Sequence, residues 1–99
     1  MPDRAAPWTL ENFLECFDRW ADLESPTYDV RLIATEWIFS RAENPYLGVQ
    51  RETGFANLWF GPLPGTLEPD GSVVACAYWI YEAEHRVRCD SFATLSTPL

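Results

Sequence analysis

The stretch SVVACAYWIYEAEHRVRCDSFATL, Ser72 to Leu95, constrains the fold of this chain more than any other. "SVVACAYWIY" and "RVRCDSFATL" are rich in Val, Ile, Tyr, Trp and Phe and are joined by the polar link "EAEH", the pattern of an antiparallel hairpin. With Glu82 to His85 as the turn, Tyr81 faces Arg86 and the remaining pairs follow two by two. That register groups Val74, Cys76, Tyr78 and Ile80 with Val87, Cys89, Ser91 and Ala93 on a core face. The opposite face carries Ala75, Ala77, Trp79 and Tyr81 with Arg86, Arg88, Asp90 and Phe92. There Trp79 lies across from Arg88 and Tyr81 across from Arg86. Such pairs contribute roughly 0.2–1 kcal/mol each to a sheet, and a planar ring beside guanidinium groups also suits a nucleobase, a phosphate or a carboxylate.

Upstream the pattern is helical. In "WTLENFLECFDRWADLE", Leu10, Phe13, Leu14, Phe17, Trp20 and Ala21 recur at helical spacing, with Glu11, Glu15, Asp18, Arg19 and Asp22 on the other side. Thr9 is placed to cap this helix, and Trp8 to staple it against Phe13. A second helix is expected to start at Ser25-Pro26 and to stop at Asn44-Pro45. Its apolar residues, from Val30 to Phe39, cover more than one stripe, which predicts burial on two sides. Beyond Pro45, glycines and prolines cut the chain into short extended pieces: "YLGVQRE" and "ANLWFGP" as strands, "LPGTLEPDG" as a surface loop. The expected architecture is α+β, two N-terminal helices packed on one face of a three- to four-stranded antiparallel meander. Residues 1–8 read as a loose tail and residues 9–99 as a single domain.

Charge narrows the partners. Seven arginines and no lysine stand against fifteen acids, a net charge of −8, so a phosphate backbone is repelled unless arginines gather on one face. No apolar run is long enough to cross a bilayer and "MPDRAAPW" lacks the apolar block of a signal peptide, which makes the cytoplasm the expected location and a membrane an unexpected partner. Cys16, Cys76 and Cys89, an odd count without a C-x-x-C pair, read as free buried thiols, and one histidine completes no zinc site, so neither metal nor cofactor is expected. His85, in a turn between Glu84 and Arg86, has neither the held position nor the partner that a general base needs.

"RAENPYLG" at the end of the second helix, followed by "YWIYEAEHRVR" as a late hairpin, resembles the RelE/ParE-like toxin superfamily over roughly residues 30–95. The matching features are Asn44-Pro45 before the sheet and a tyrosine strand, acidic turn and valine strand from Tyr78 to Val87. The resemblance implies two helices on an antiparallel sheet, a cognate antitoxin, and, where the activity is intact, ribosome-dependent mRNA cleavage by basic residues on the sheet. Three departures bear on that activity. Ala75 stands where members often carry an arginine, Thr94-Leu95 where they carry a His-Arg-like pair, and the opening residues make a poor first strand.

These readings point to binding rather than catalysis. Trp79 and Tyr81 are expected to stack, and Arg86 and Arg88 to pair with anions, with Arg51 and Trp59 as neighbours. The function expected is a divergent toxin-antitoxin component, or a relative that has lost catalysis, recognising a protein and touching nucleic acid only through a local arginine face; self-association into a homodimer is compatible with it. The alternative is an acidic stoichiometric inhibitor, an immunity or anti-defence protein, whose Glu11, Glu15, Asp18, Asp22 and Glu24 dock on a basic surface.

Overall fold

The computed structural model describes residues 6–96. Among the described residues five strands and two helices follow in the order β1 (Thr9–Glu11), α1 (Phe13–Glu24), α2 (Tyr28–Ser40), β2 (Gln50–Arg51), β3 (Leu58–Pro62), β4 (Ser72–Tyr81) and β5 (Arg86–Ser96), with a 3-10 turn at Glu82–Glu84. The sheet order is β1-β5-β4-β3-β2, which puts the long apolar β4 in the centre. The α+β class and the two helices on one face are as expected. The sheet has five strands rather than three or four and is mixed, because β1 runs parallel to β5 while the other pairs are antiparallel.

The first correction lies at the N-terminus. Thr9 does not cap a helix: Thr9 to Glu11 pair with Arg86 to Arg88, and the Thr9 amide donates to the His85 carbonyl at 3.0 Å. The chain turns at Asn12, left-handed at φ 63°, a conformation asparagine tolerates better than most residues. Asn12 Nδ2 donates to the Cys89 carbonyl at 3.1 Å, fixing the start of α1 to β5. Trp8, read as a staple for that helix, stacks on His85, centroids 4.1 Å apart, while its amide donates to the Ala42 carbonyl at 2.8 Å. Of the stretch read as a loose tail, residues 1–5 lie outside the described residues, and Ala6 to Trp8 are tied to the body.

Between the helices Ser25 closes α1 rather than opening α2. It is left-handed at φ 46° and its amide donates to the Ala21 carbonyl. The cap of α2 is Thr27, whose Oγ1 accepts from the Val30 amide at 3.3 Å. Helix α2 is buried along one stripe, Ala34, Trp37 and Ile38, and not on two sides; Tyr28, Leu32 and Phe39 are exposed, as is Leu14 on α1.

The second correction is a β-bulge. Pairing runs Tyr81↔Arg86, Trp79↔Arg88 and Tyr78↔Cys89, then resumes at Ala77↔Ser91, leaving Asp90 without a partner on β4. One extra residue exchanges the faces of everything after it. Phe92 therefore enters the core, where Trp20, Phe17 and Trp37 surround it with centroids 6.0–6.4 Å away, and Ser91 and Ala93, read as core, move to the opposite face. Gly61 on β3 is dictated by a close approach: a Cβ there would lie 2.9 Å from the Gly48 carbonyl oxygen and the Val49 Cγ1.

The three thiols are free and buried. Cys76 and Cys89 share the core face diagonally, since Cys76 faces Phe92 and Cys89 faces Tyr78, and their sulfurs are 3.7 Å apart, a van der Waals contact well beyond the ~2.05 Å of a disulfide. Burial raises the Cys16 thiol from 9.0 to about 12. The thiol of Cys89 is also raised, first by its contact with Cys76 and then by burial, and burial raises the Tyr78 phenol. All three groups are neutral when protonated, and the folded state holds those protons more tightly than the unfolded chain. Their contribution is complete below pH ~9, the unfolded thiol value, and is lost as pH rises through and beyond it. Thermal melts should therefore show a midpoint that falls steadily above pH ~9, with a shallower fall in Cys16→Ala and Cys89→Ala.

Candidate functional site: the outer face of the sheet

The sheet face turned away from the helices carries Trp79, Tyr81, Arg86 and Arg88 together, as the register requires. Trp79 lies between Leu58 on β3 and Arg88 on β5, and Phe55 meets it edge-on at 5.8 Å. Its indole Nε1 donates to Asp90 Oδ1 at 3.3 Å, so the bulge residue orients the ring. Arg86 lies over Tyr81, with the guanidinium carbon 3.9 Å from the ring centroid.

Arg86 is already paired. Its Nη1 donates to Glu11 Oε1 at 2.7 Å and its Nη2 lies 3.2 Å from Glu84 Oε2; the bond to Glu11, ahead of the charge of Glu84, raises the guanidinium further above its usual range. Glu11 comes from β1, the strand that the sequence did not announce, and Thr9 and Glu11 are held beside Arg86 and Arg88 by the parallel pairing. Arg88 is exposed and, among the described residues, forms no ion pair. The face thus holds two arginines against Glu11, Glu84 and Asp90.

Arg51 and Trp59 are not part of this group. Arg51 faces Trp59 and Trp59 faces Tyr78, a core residue, so both lie on the helix side of the sheet. The parity of the β3 register decides this: Leu58 and Phe60, not Trp59, point outward. Trp59 packs edge-on against Tyr46 at 5.1 Å, and Tyr46 in turn meets Trp8 at 6.1 Å and donates its hydroxyl to Glu82.

Two further features were missed. His85 is held, contrary to its reading as an unheld turn residue: it stacks on Trp8 and its Nε2 lies 2.9 Å from the Ala6 carbonyl, a hydrogen bond that requires the Nε2–H form because a carbonyl only accepts. Arg41, at the end of α2, is 3 % exposed. Its Nη1 donates to the Leu47 carbonyl at 2.6 Å and to the Tyr78 hydroxyl at 3.1 Å, and its guanidinium lies 4.5 Å from the Trp37 ring centroid. The Tyr78 hydroxyl in turn donates a hydrogen bond to the Pro45 carbonyl. This network fixes the Asn44-Pro45 turn to the central strand. Only the proximity of an arginine to Asn44-Pro45 in "RAENP" hinted at it.

Among the described residues no group of three or more His, Cys, Asp and Glu side chains is placed to hold a metal ion, and no helix is long and apolar enough to cross a membrane.

No family model and no curated protein sequence matches the chain. Its structure is similar to that of the E. coli toxin RelE, solved in the free state as a double arginine-to-alanine mutant, with a TM-score of 0.61 over 88% of this chain and 82% of that one at 13% identity. At that identity the likeness is one of fold. The chain has the RelE-like arrangement of two helices on one face of a sheet.

Proposed function

We propose that this chain is a RelE-fold toxin-antitoxin relative that acts by binding a protein through the outer face of its sheet and that no longer cleaves RNA. The observation that carries this is the pairing of Arg86 with Glu11 and Glu84. A group that binds phosphate must offer uncompensated positive charge, and this face offers Arg88 alone within a chain of net charge −8. Ala75, at the position where the family often carries an arginine, faces Pro62 and Ala93 and adds apolar surface instead. Aromatic rings, small apolar residues and a single free arginine are the ingredients of a protein interface. The partner fitting a toxin-antitoxin relative is the product of the neighbouring gene.

A second reading has its own observation. Glu15, Asp18, Asp22 and Glu24 are all exposed on α1, which suits an acidic inhibitor docking on a basic target.

Fluorescence anisotropy with a short single-stranded RNA tests the first reading. Wild-type protein should bind more weakly than about 100 µM at physiological salt. Glu11→Gln with Glu84→Gln, by releasing Arg86, should tighten binding about three- to tenfold. Micromolar wild-type affinity that collapses in Arg86→Glu/Arg88→Glu would sink the reading. Co-purification with the neighbouring gene's product separates the two protein-binding modes. Loss on reversing Arg86 and Arg88 supports the sheet face, and loss on neutralising Glu15, Asp18 and Asp22 supports the acidic helix.

A further inference from the structure

The second apolar stripe that the sequence places on α2 exists and is uncovered. Tyr28, Leu32 and Phe39 are exposed and, with Thr35, recur at i, i+4, i+7 and i+11, a line about 16 Å long on the side opposite Ala34 and Trp37. At its C-terminal end this line meets a cavity of about 290 Å³ between the two helices and β1. Leu10, Phe13 and Ile38 form the floor, and Leu14 and Phe39, 63% and 64% exposed, stand at the lips. Large apolar side chains exposed beside an apolar hollow mark a place where something docks. Charge around the hollow is of one sign. Glu15 lines it, Asp18 stands one turn beyond Leu14, and Glu36 stands one turn before Phe39. Asp22, Glu24 and Asp29 add to that sign, Arg19 and Arg31 are the exposed cations of the two helices, and among the described residues none of these groups forms an ion pair.

We infer that the cleft between α1 and α2 binds a basic amphipathic helix of a partner protein. The apolar residues of that helix, at i, i+4 and i+7, seat on Leu14, Phe39 and Leu32, and its lysines or arginines face Glu15, Asp18 and Glu36. Charge selects the occupant. The same face of a second copy would bring like charges together, and an anionic lipid surface or a nucleic acid would be repelled in the same way. Shape selects its form. Two helices offer no free backbone edge to a strand, whereas an apolar line at helical spacing packs against another helix, ridge into groove. The cleft lies on the helix side of the molecule and is independent of the outer sheet face. The inference rests on the second reading above, in which the acidic α1 meets a basic target, and it names the groove and the form of that target.

Fluorescence anisotropy with two labelled synthetic peptides of about 18 residues tests it, one with leucines along one helical face and lysines and glutamines on the other, the second of the same composition with the leucines shuffled off the helical period. At physiological salt the wild type should bind the amphipathic peptide with a dissociation constant of about 1–50 µM, at least about tenfold tighter than the shuffled one. Leu14→Ser/Phe39→Ser alters no charge and changes only exposed side chains, so the melting midpoint should move by a few degrees at most while binding weakens about tenfold or more. Glu15→Gln/Glu36→Gln should weaken it about three- to tenfold, and Glu52→Gln/Glu68→Gln, the same change of charge away from the helices, by less than about twofold. Equal affinity for the two peptides overturns the inference, as does a wild-type constant above about 500 µM or an affinity unmoved by Leu14→Ser/Phe39→Ser. In that last case a loss confined to Glu15→Gln/Glu36→Gln would leave the acidic-helix reading standing and remove only the groove.

Discussion

Replacing Arg41 with alanine should lower stability by about 3–5 kcal/mol, a large part of the 5–15 kcal/mol typical of a domain. The guanidinium is buried, forms no ion pair among the described residues, and has its charge met by the Leu47 carbonyl, the Tyr78 hydroxyl, the Ser40 hydroxyl and the Trp37 ring. It also lies at the C-terminal end of α2, where the helix dipole favours a cation. Hydrogen bonds to a charged group contribute roughly 1.5–3 kcal/mol each, and removing the donor takes its bond from the part-buried Leu47 carbonyl and leaves the buried Tyr78 phenol with its bond to Pro45 alone. At roughly 4–8 °C per kcal/mol for a domain of this size, the melting midpoint should fall by at least about 12 °C. Arg41→Lys keeps the charge and loses the fork, and should recover about half of the loss. Tyr78→Phe removes the second member of the same network at a cost of about 1–2 kcal/mol, and its effect should not add to that of Arg41→Ala, because both mutations break the same bond. Thermal and urea melts of the four proteins check each value. An Arg41→Ala midpoint within a few degrees of wild type would show that the network does not hold the Asn44-Pro45 turn.

Phe92→Ala should be as damaging. The ring is enclosed by Trp20, Phe17 and Trp37, and loss of a buried phenylalanine costs about 3–5 kcal/mol. Deleting Asp90 should cost much less. Ser91 then follows Cys89 opposite Ala77 and Phe92 stays opposite Cys76 on the core face, so a regular two-by-two register replaces the bulge and only the bond from the Trp79 indole to Asp90 is lost. Thermal and urea melts of the two variants check this. A deletion variant as unstable as Phe92→Ala would mean that the bulge itself, and not only the ring, holds the core.

The bulge also marks where the sequence stopped being readable. Up to Cys89 the hairpin alternates cleanly and its pairs, Tyr81 with Arg86 and Trp79 with Arg88, are legible. Past it, "CDSFATL" carries no local sign that Asp90 goes unpaired, because the preference is set by Phe92 filling a cavity between helices distant in sequence. β1 was illegible for a related reason. Three residues have no period to speak of, and what makes Thr9 to Glu11 a strand is the free edge of β5. Its consequence for the site is large, since β1 delivers Glu11 to Arg86. Arg41 escaped because an arginine in a helix reads as surface until the tertiary contacts are known. Arg51 and Trp59 were read as neighbours of the outer-face group from their residue types, an arginine and an exposed tryptophan, whereas strand parity assigns them to the other side. The existence of the two helices and the aromatic core at Trp20 and Trp37 needed only periodicity, but the helix ends did not follow the punctuation: α1 begins at Phe13 rather than after Thr9, and α2 runs from Tyr28 to Ser40, short of Asn44-Pro45.

Cell-free bacterial translation tests most directly the proposal that the outer face of this RelE-like fold binds without cutting. With purified protein added in molar excess over ribosomes, and reporter mRNA followed by primer extension, the account predicts intact message and unchanged protein output. Ribosome-dependent cleavage of the mRNA at defined positions, abolished by Arg86→Glu/Arg88→Glu, would contradict it.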